Sequence, residues 1–153
     1  MKIAVIGSRT FNNYHLLKRV LDRYKEVNNI SYDLIVSGGA NGADKLSEAY
    51  AFRNDIETLI FYPDYKKHGK SAPFVRNTQI IDNGELVFSF WDGQSRGTLD
   101  SMKKAKERGK KVVTVYFGIH TQEESLKSTY EIDIEFPLLP LNNNMDLFQS
   151  EKP

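Results

Sequence analysis

Apolar residues along this chain follow two rhythms: short unbroken runs, and longer stretches in which they recur every third or fourth position. The first run, Lys2 to Ile6, predicts a buried strand, and Gly7-Ser8-Arg9 follows it directly. Tyr14, Leu17, Val20, Leu21, Tyr24 and Val27 then alternate with Lys18, Arg19, Asp22, Arg23 and Lys25, the stripe of an amphipathic helix. A second run, Asp33 to Ser37, passes through a glycine-rich turn into a helix over about Ala43 to Arg53, with Leu46, Ala49 and Tyr50 at helical spacing. Glu57 to Tyr62 predicts a third strand closed by Pro63. A polar loop, Asp64 to Lys70, leads to a helix from Ser71 to Ile81, with Ser71 as N-cap and Pro73 in the first turn. Leu86 to Trp91 is the fourth strand, and after the turn Asp92 to Thr98 a helix begins with Leu99, Met102 and Ala105 and ends at Gly109. Lys111 to Phe117 is the fifth strand.

Five apolar strands alternating with four helices predict an α/β fold, a parallel sheet covered on both faces. Right-handed crossovers then make a doubly wound sheet, most simply in the order 3-2-1-4-5. In that order the winding reverses between the first and fourth strands, and ligands of open α/β sheets bind outside the carboxyl ends of the strands at such a point. The turns at Gly7 to Thr10 and Asp92 to Thr98 flank that crevice, and Gly38 to Asp44 lies beside it. Residues 1–117 thus read as one domain and 118–153 as an extension, in which Tyr130, Ile132, Ile134 and Phe136 alternate with acids as an extra strand before a tail broken by Pro137 and Pro140.

Composition narrows the chemistry. The 153 residues suffice for one full core. With 21 Lys+Arg against 20 Asp+Glu the formal charge is +1, which gives no global argument for nucleic acid or an anionic membrane, so any basic site must be local. Absence of cysteine excludes disulfides and thiolate chemistry and suits a reducing compartment. No apolar run approaches the roughly 18 residues of a membrane span, and Met1-Lys2 leads straight into a strand, so the expectation is a cytoplasmic protein. His15, His68 and His120 show no metal spacing, and no metal site is predicted.

Ser37-Gly38-Gly39-Ala40-Asn41-Gly42-Ala43-Asp44 carries the main signal, because glycines let backbone N–H groups approach a ligand and the helix N-terminus adds donors and partial positive charge suited to phosphate. An ordinary strand-to-helix turn is the plainer reading. Gly97-Thr98 can supply amides and a hydroxyl to a phosphate or act as a cap; Ser8 and Arg9 can add a hydroxyl and a fork-shaped cation, or Arg9 can be solvated. Arg76 and Asn77 either serve the site or cap their helix, and Trp91 either borders a base or packs in the core. Asp92 can hold a ribose hydroxyl, move a proton or order an Asx turn, and Asp44 is a site carboxylate or simply complements the helix dipole. Two motifs fail: Gly69-Lys70-Ser71 lacks the earlier P-loop glycine, where Asp64 stands, and the first turn lacks G-x-G-x-x-G.

Ile6-Gly7-Ser8-Arg9, Ser37 to Asp44, Tyr62-Pro63-Asp64, Phe74-Val75-Arg76-Asn77, and Phe90-Trp91-Asp92-Gly93 with Ser95 and Gly97-Thr98 together resemble the SLOG superfamily, specifically its YspA/cpYpsA-related branch. The resemblance implies a Rossmann-like fold, a site for a nucleotide or nucleotide-derived ligand such as ADP-ribose-like or NAD-derived compounds, and a homodimer or higher homo-oligomer; beyond that ligand no cofactor is expected. Relatives include LONELY GUY phosphoribohydrolases and the DNA-processing protein DprA, so N-glycosidic cleavage of a nucleoside monophosphate and single-stranded DNA binding are the alternatives. Against the phosphoribohydrolase pattern P-G-G-x-G-T-x-x-E, Gly97-Thr98 match G-T and Arg76 matches an arginine ahead of strand four, but the glutamate position falls on Ser101. Arg76, Asp92 and Asp100 are the residues left to carry a reaction.

Overall fold

The computed structural model describes residues 1–117; the expected strand over 130–136 and the tail lie outside the described residues. The strands are β1 (Lys2–Gly7), β2 (Leu34–Ser37), β3 (Glu57–Ile60), β4 (Leu86–Trp91) and β5 (Lys111–Tyr116). All neighbours are parallel, in the order β3-β2-β1-β4-β5. The helices are α1 (Tyr14–Asn28), α2 (Ala43–Arg53), α3 (Tyr65–His68), α4 (Ala72–Asn83) and α5 (Arg96–Glu107). Among the described residues no helix is long and apolar enough to cross a membrane.

Strand alternation divides the core between the two faces. Ile3 and Val5 of β1, with Ile35, Phe88, Phe90, Val113 and Val115, pack against Leu17, Val20 and Leu21 of α1 and Tyr50 of α2. Ala4 and Ile6, with Val36 and Val87, meet Ile80 and Ile81 of α4 and Ala105 of α5. Aromatic bulk thus sits on the α1/α2 side and smaller side chains on the α4/α5 side, which brings α4 and α5 close beneath the β1–β4 boundary. Burying each large apolar side chain contributes about 1.5–3 kcal/mol against exposure. Helix α1 is stopped at both ends: Asn13 Oδ1 accepts from Leu16 N at 3.0 Å, and Asn29 adopts a left-handed conformation at φ 51°.

Several boundaries differ from the sequence expectation, and three of them do so for a clear local reason. β3 stops at Ile60 rather than Tyr62 because its partner β2 ends at Ser37, whose carbonyl takes one last bond from Phe61 N at 2.9 Å. The expected loop from Asp64 to Lys70 is instead α3 followed by a 3-10 turn, Gly69–Ser71, because Asp64 caps it by accepting from Lys67 N at 3.1 Å. Helix α5 starts at Arg96 because Ser95 is its N-cap, Oγ accepting from Thr98 N at 3.4 Å, so Gly97 and Thr98 lie in the first helical turn. Ser71 does precede α4, but its hydroxyl donates backward to His68 O at 2.7 Å and makes no cap bond.

Candidate functional site

At the carboxyl ends of β1 and β4, a cleft of about 120 Å³ is lined from three turns: Gly7 and Arg9, Ala40 and Asp44, and Ser95, Gly97 and Thr98. Arg76, Asn77, Phe74 and Ile80 of α4 and Ser101 of α5 close it. A second, shallower depression of about 330 Å³ opens beside it towards β3, lined by Gly38, Gly39, Asn41, Tyr62, Pro63 and Tyr65. Arg9, Ala40 and Arg76 border both.

Gly42 shows why the β2–α2 turn is built as it is. Its φ is +85°, and an added Cβ would lie 2.3 Å from Ser8 O and 2.7 Å from Arg9 Cα, so this turn presses directly on the first one. Ser8 is the peg between the turns. It is buried, its carbonyl accepts from Phe11 N and Ala43 N, and its hydroxyl accepts from Asp92 N at 3.1 Å. Ser37, also buried, donates to Glu48 Oε2 of α2 at 3.0 Å and accepts from Gly39 N at 3.2 Å. Gly42, Ala43, Ser8 and Ser37 therefore frame the cleft and do not line it.

Part of the glycine turn is occupied by the chain's own carboxylate. Asp44, at the start of α2, is buried, and its Oδ2 accepts from Ala40 N at 3.1 Å. Burial pushes its carboxyl up to about 6, although the Ala40 and Gly38 amides and the charge of Arg76 pull the other way. Of the amides expected to face a ligand, those of Gly39, Ala40 and Ala43 are thus already engaged within the protein.

Arg76 reaches across from α4, Nη1 donating to Gly38 O at 2.7 Å and Nε to Asn77 Oδ1 at 3.2 Å. Burial and the nearby charge of Arg9 lower its pKa, while Asp44 and Tyr65 raise it; a guanidinium remains charged regardless. Arg9 itself is exposed at the mouth. Two cations therefore face the same space, an arrangement in which a bound anion relieves mutual repulsion.

Asn77 is buried and ties α4 to α5, its Nδ2 donating to Gly97 O at 3.3 Å and Asp100 Oδ2 at 3.2 Å. Asp100 also holds Lys104 Nζ at 2.8 Å and does not line the cleft, whereas its neighbour Ser101 does, its hydroxyl donating to Gly97 O at 3.2 Å. Asp92 orders its own turn: Oδ1 accepts from Gln94 N and Ser95 N, each at 2.8 Å, and although burial raises its pKa, these amides and Ser8 together outweigh it and hold the carboxyl low. Trp91 Nε1 donates to Ser95 O at 3.1 Å and the ring packs edge-on against Tyr116, away from both depressions. Gly93 stands against the same tyrosine, its missing Cβ making room for the hydroxyl. Tyr62 and Tyr65 were absent from the sequence-based site; aromatic residues flanking a proline ahead of a basic segment were the available signal. Among the described residues no cluster of three or more His, Cys, Asp or Glu could hold a metal ion.

No curated protein matches the chain in sequence. Among solved structures, DNA processing protein A from Helicobacter pylori, described for its single-stranded DNA binding mode, is similar with a TM-score of 0.62 at 18% identity, covering 98% of this chain and 81% of that one. DNA processing protein A from Streptococcus pneumoniae is similar with a TM-score of 0.58 at 20% identity, and this chain spans 56% of its length. These likenesses are of fold. Residues 1–68 match the profile of the YspA, cpYpsA-related SLOG family. Through that segment, from β1 to the end of α3, this chain is similar to the YspA/cpYpsA-related SLOG family.

Proposed function

We propose that this protein binds a phosphate-bearing nucleotide derivative, ADP-ribose-like or NAD-derived, as a sensor or sequestering protein. The family implies nucleotide-derivative binding in general. The observation that carries the finer reading is the pairing of Arg9 and Arg76 on the wall shared by both depressions, opposite the first turn of α5. A phosphate between them meets two guanidinium forks and helix N-terminal amides together. With Gly39, Ala40 and Ala43 already bonded, the reading turns on the two arginines and on Gly97 and Thr98 at the start of α5.

Native mass spectrometry of freshly purified protein, then thermal-shift screening with AMP, ADP-ribose, NAD and cyclic ADP-ribose isomers, tests this. A ligand at 100 times its Kd stabilises by about 2.7 kcal/mol. Arg9→Ala should weaken binding about ten-fold or more without lowering the melting temperature of the free protein, because Arg9 is exposed. No shift with any of these compounds at millimolar concentration would refute the proposal.

One observation favours turnover as a second reading. Asp44 is the carboxylate on the cleft wall, and its pKa of about 6 suits a group that hands a proton to a departing base while water attacks the ribose carbon. Asp92, bonded within its own turn, and Asp100, bonded to Asn77 and Lys104, are then dispensable for the reaction. Release of free base from a nucleoside monophosphate, abolished by Asp44→Asn and retained in Asp92→Asn and Asp100→Asn, would establish the hydrolase; no release leaves the binding protein.

A further inference from the structure

The β3–α3 connection and the first residue of α3 carry two large aromatic side chains that the core does not use. Tyr62 is 63% and Tyr65 59% exposed, and both line the outer depression together with Arg9 and Arg76. Other exposed rings differ in setting: Phe52, at 85%, stands on α2 and lines neither depression, and Phe74 lies under Lys104 Nζ.

The tyrosines are held in place. Gly39, at φ +69°, sits beneath Tyr62 so closely that a Cβ would lie 2.5 Å from ring atom Cε1. The turn that carries both rings is braced by Pro63 and by Asp64, which caps α3 through Lys67 N and accepts from His68 N through its carbonyl. Tyr65 also lines the same depression as Arg76 and acts to raise its pKa. One rigid segment thus presents two aromatic surfaces beside two guanidiniums.

From this placement we infer that Tyr62 and Tyr65 form a stacking subsite for the base of a nucleotide whose phosphate lies between Arg9 and Arg76. The inference rests on the nucleotide reading above and adds the part of the ligand that the outer depression takes. A planar heteroaromatic ring is the partner because aromatic side chains stack on any base without hydrogen-bond readout. The site selects for the presence of a base more than for its identity. The outer depression of about 330 Å³ falls at the small end of ligand pockets, roughly 300–1,000 Å³, and accommodates one base rather than a row of them.

The experiment compares AMP, ribose 5-phosphate and inorganic phosphate by isothermal titration, on the full chain and on Tyr62→Leu/Tyr65→Leu and Tyr62→Phe/Tyr65→Phe double variants. Both positions are exposed, so circular dichroism and melting should be unchanged. The expected result is that AMP binds the parent about ten-fold or more tighter than ribose 5-phosphate. The leucine variant should lose that margin while holding ribose 5-phosphate as before, and the phenylalanine variant should keep it. Equal binding of AMP and ribose 5-phosphate, or a margin that survives in the leucine variant, overturns the stacking subsite and leaves the phosphate site standing. No binding of any of the three overturns the stacking subsite, and no binding of ADP-ribose, NAD or cyclic ADP-ribose isomers either overturns the nucleotide reading with it. Oligothymidylates that bind far tighter than AMP, with affinity rising with length and falling steeply with salt, would show a strand-binding surface instead and overturn the single-base subsite.

Discussion

Replacing Asp44 by asparagine should make this protein more stable, and the gain should depend on pH. In the folded chain the carboxyl is buried at the start of α2 and titrates at about 6, against an ordinary 3.8, and that balance already contains the attraction of Arg76 and the amides of Ala40 and Gly38. A carboxyl whose pKa is raised by folding binds its proton more tightly in the native state, so stability falls as pH rises from about 4 through about 6 and is level above. The interval is worth about 3 kcal/mol. Asparagine keeps an oxygen for the Ala40 amide and carries no charge. Asp44→Asn should therefore match the parent near pH 4 and exceed it by up to about 3 kcal/mol at pH 8, or roughly 10 °C in melting temperature for a chain of this size. Urea denaturation of both proteins from pH 4.5 to 8 measures the difference, and the acids whose pKa values folding lowers, Asp22 and Asp92, cancel in it. A variant less stable than the parent at pH 8, with the deficit growing as pH rises, would mean that Arg76 and the amides outweigh burial, and the reasoning would be wrong. Ligand binding offers a second readout, because removing a negative charge from the cleft wall should also tighten phosphate binding at pH 8.

Gly42→Ala should cost roughly 2–4 kcal/mol, since the new methyl meets the Ser8 and Arg9 backbone at a positive φ; urea midpoints read it directly. Gly97→Ala meets nothing within 4 Å and adds helix propensity, so it should be neutral or stabilising by about 0.5 kcal/mol while weakening nucleotide binding in thermal-shift titrations. Tyr50→Phe removes the buried hydroxyl that donates to Asp22 Oδ1 at 2.6 Å and should destabilise by about 1–2 kcal/mol in the same denaturation assay. Size-exclusion chromatography with light scattering should find a dimer for the full chain and a change of state on truncation after Phe117; a monomer in both forms would remove the homodimer.

What was legible in the sequence is what local pattern decides. β4 runs from Leu86 to Trp91 as its apolar run, interrupted only by Ser89, predicts, and the strand order follows from alternation of strands and helices under the handedness of crossovers. Helix α3 was illegible by periodicity because four residues hold barely one turn; only the Asp64 cap announces it. At the site, the same sequence motif admits opposite orientations of its polar groups, and tertiary contacts choose between them. Asp92 turns its carboxylate onto its own loop amides, whereas Asp44, equally placed at a turn, is driven into the cleft wall by the packing of α2 and α4 on the sheet. Ser37 is drawn to Glu48, one helix later, and Arg76 to the carbonyl of Gly38, 38 residues earlier. Such pairings follow from the order of strands: α4 leads into β4, β4 pairs with β1, and this places Arg76 above the turn leaving β2. The residues that converge on the cleft are therefore consequences of the topology, and a glycine-rich turn becomes a site only where a cation from another crossover is delivered to it.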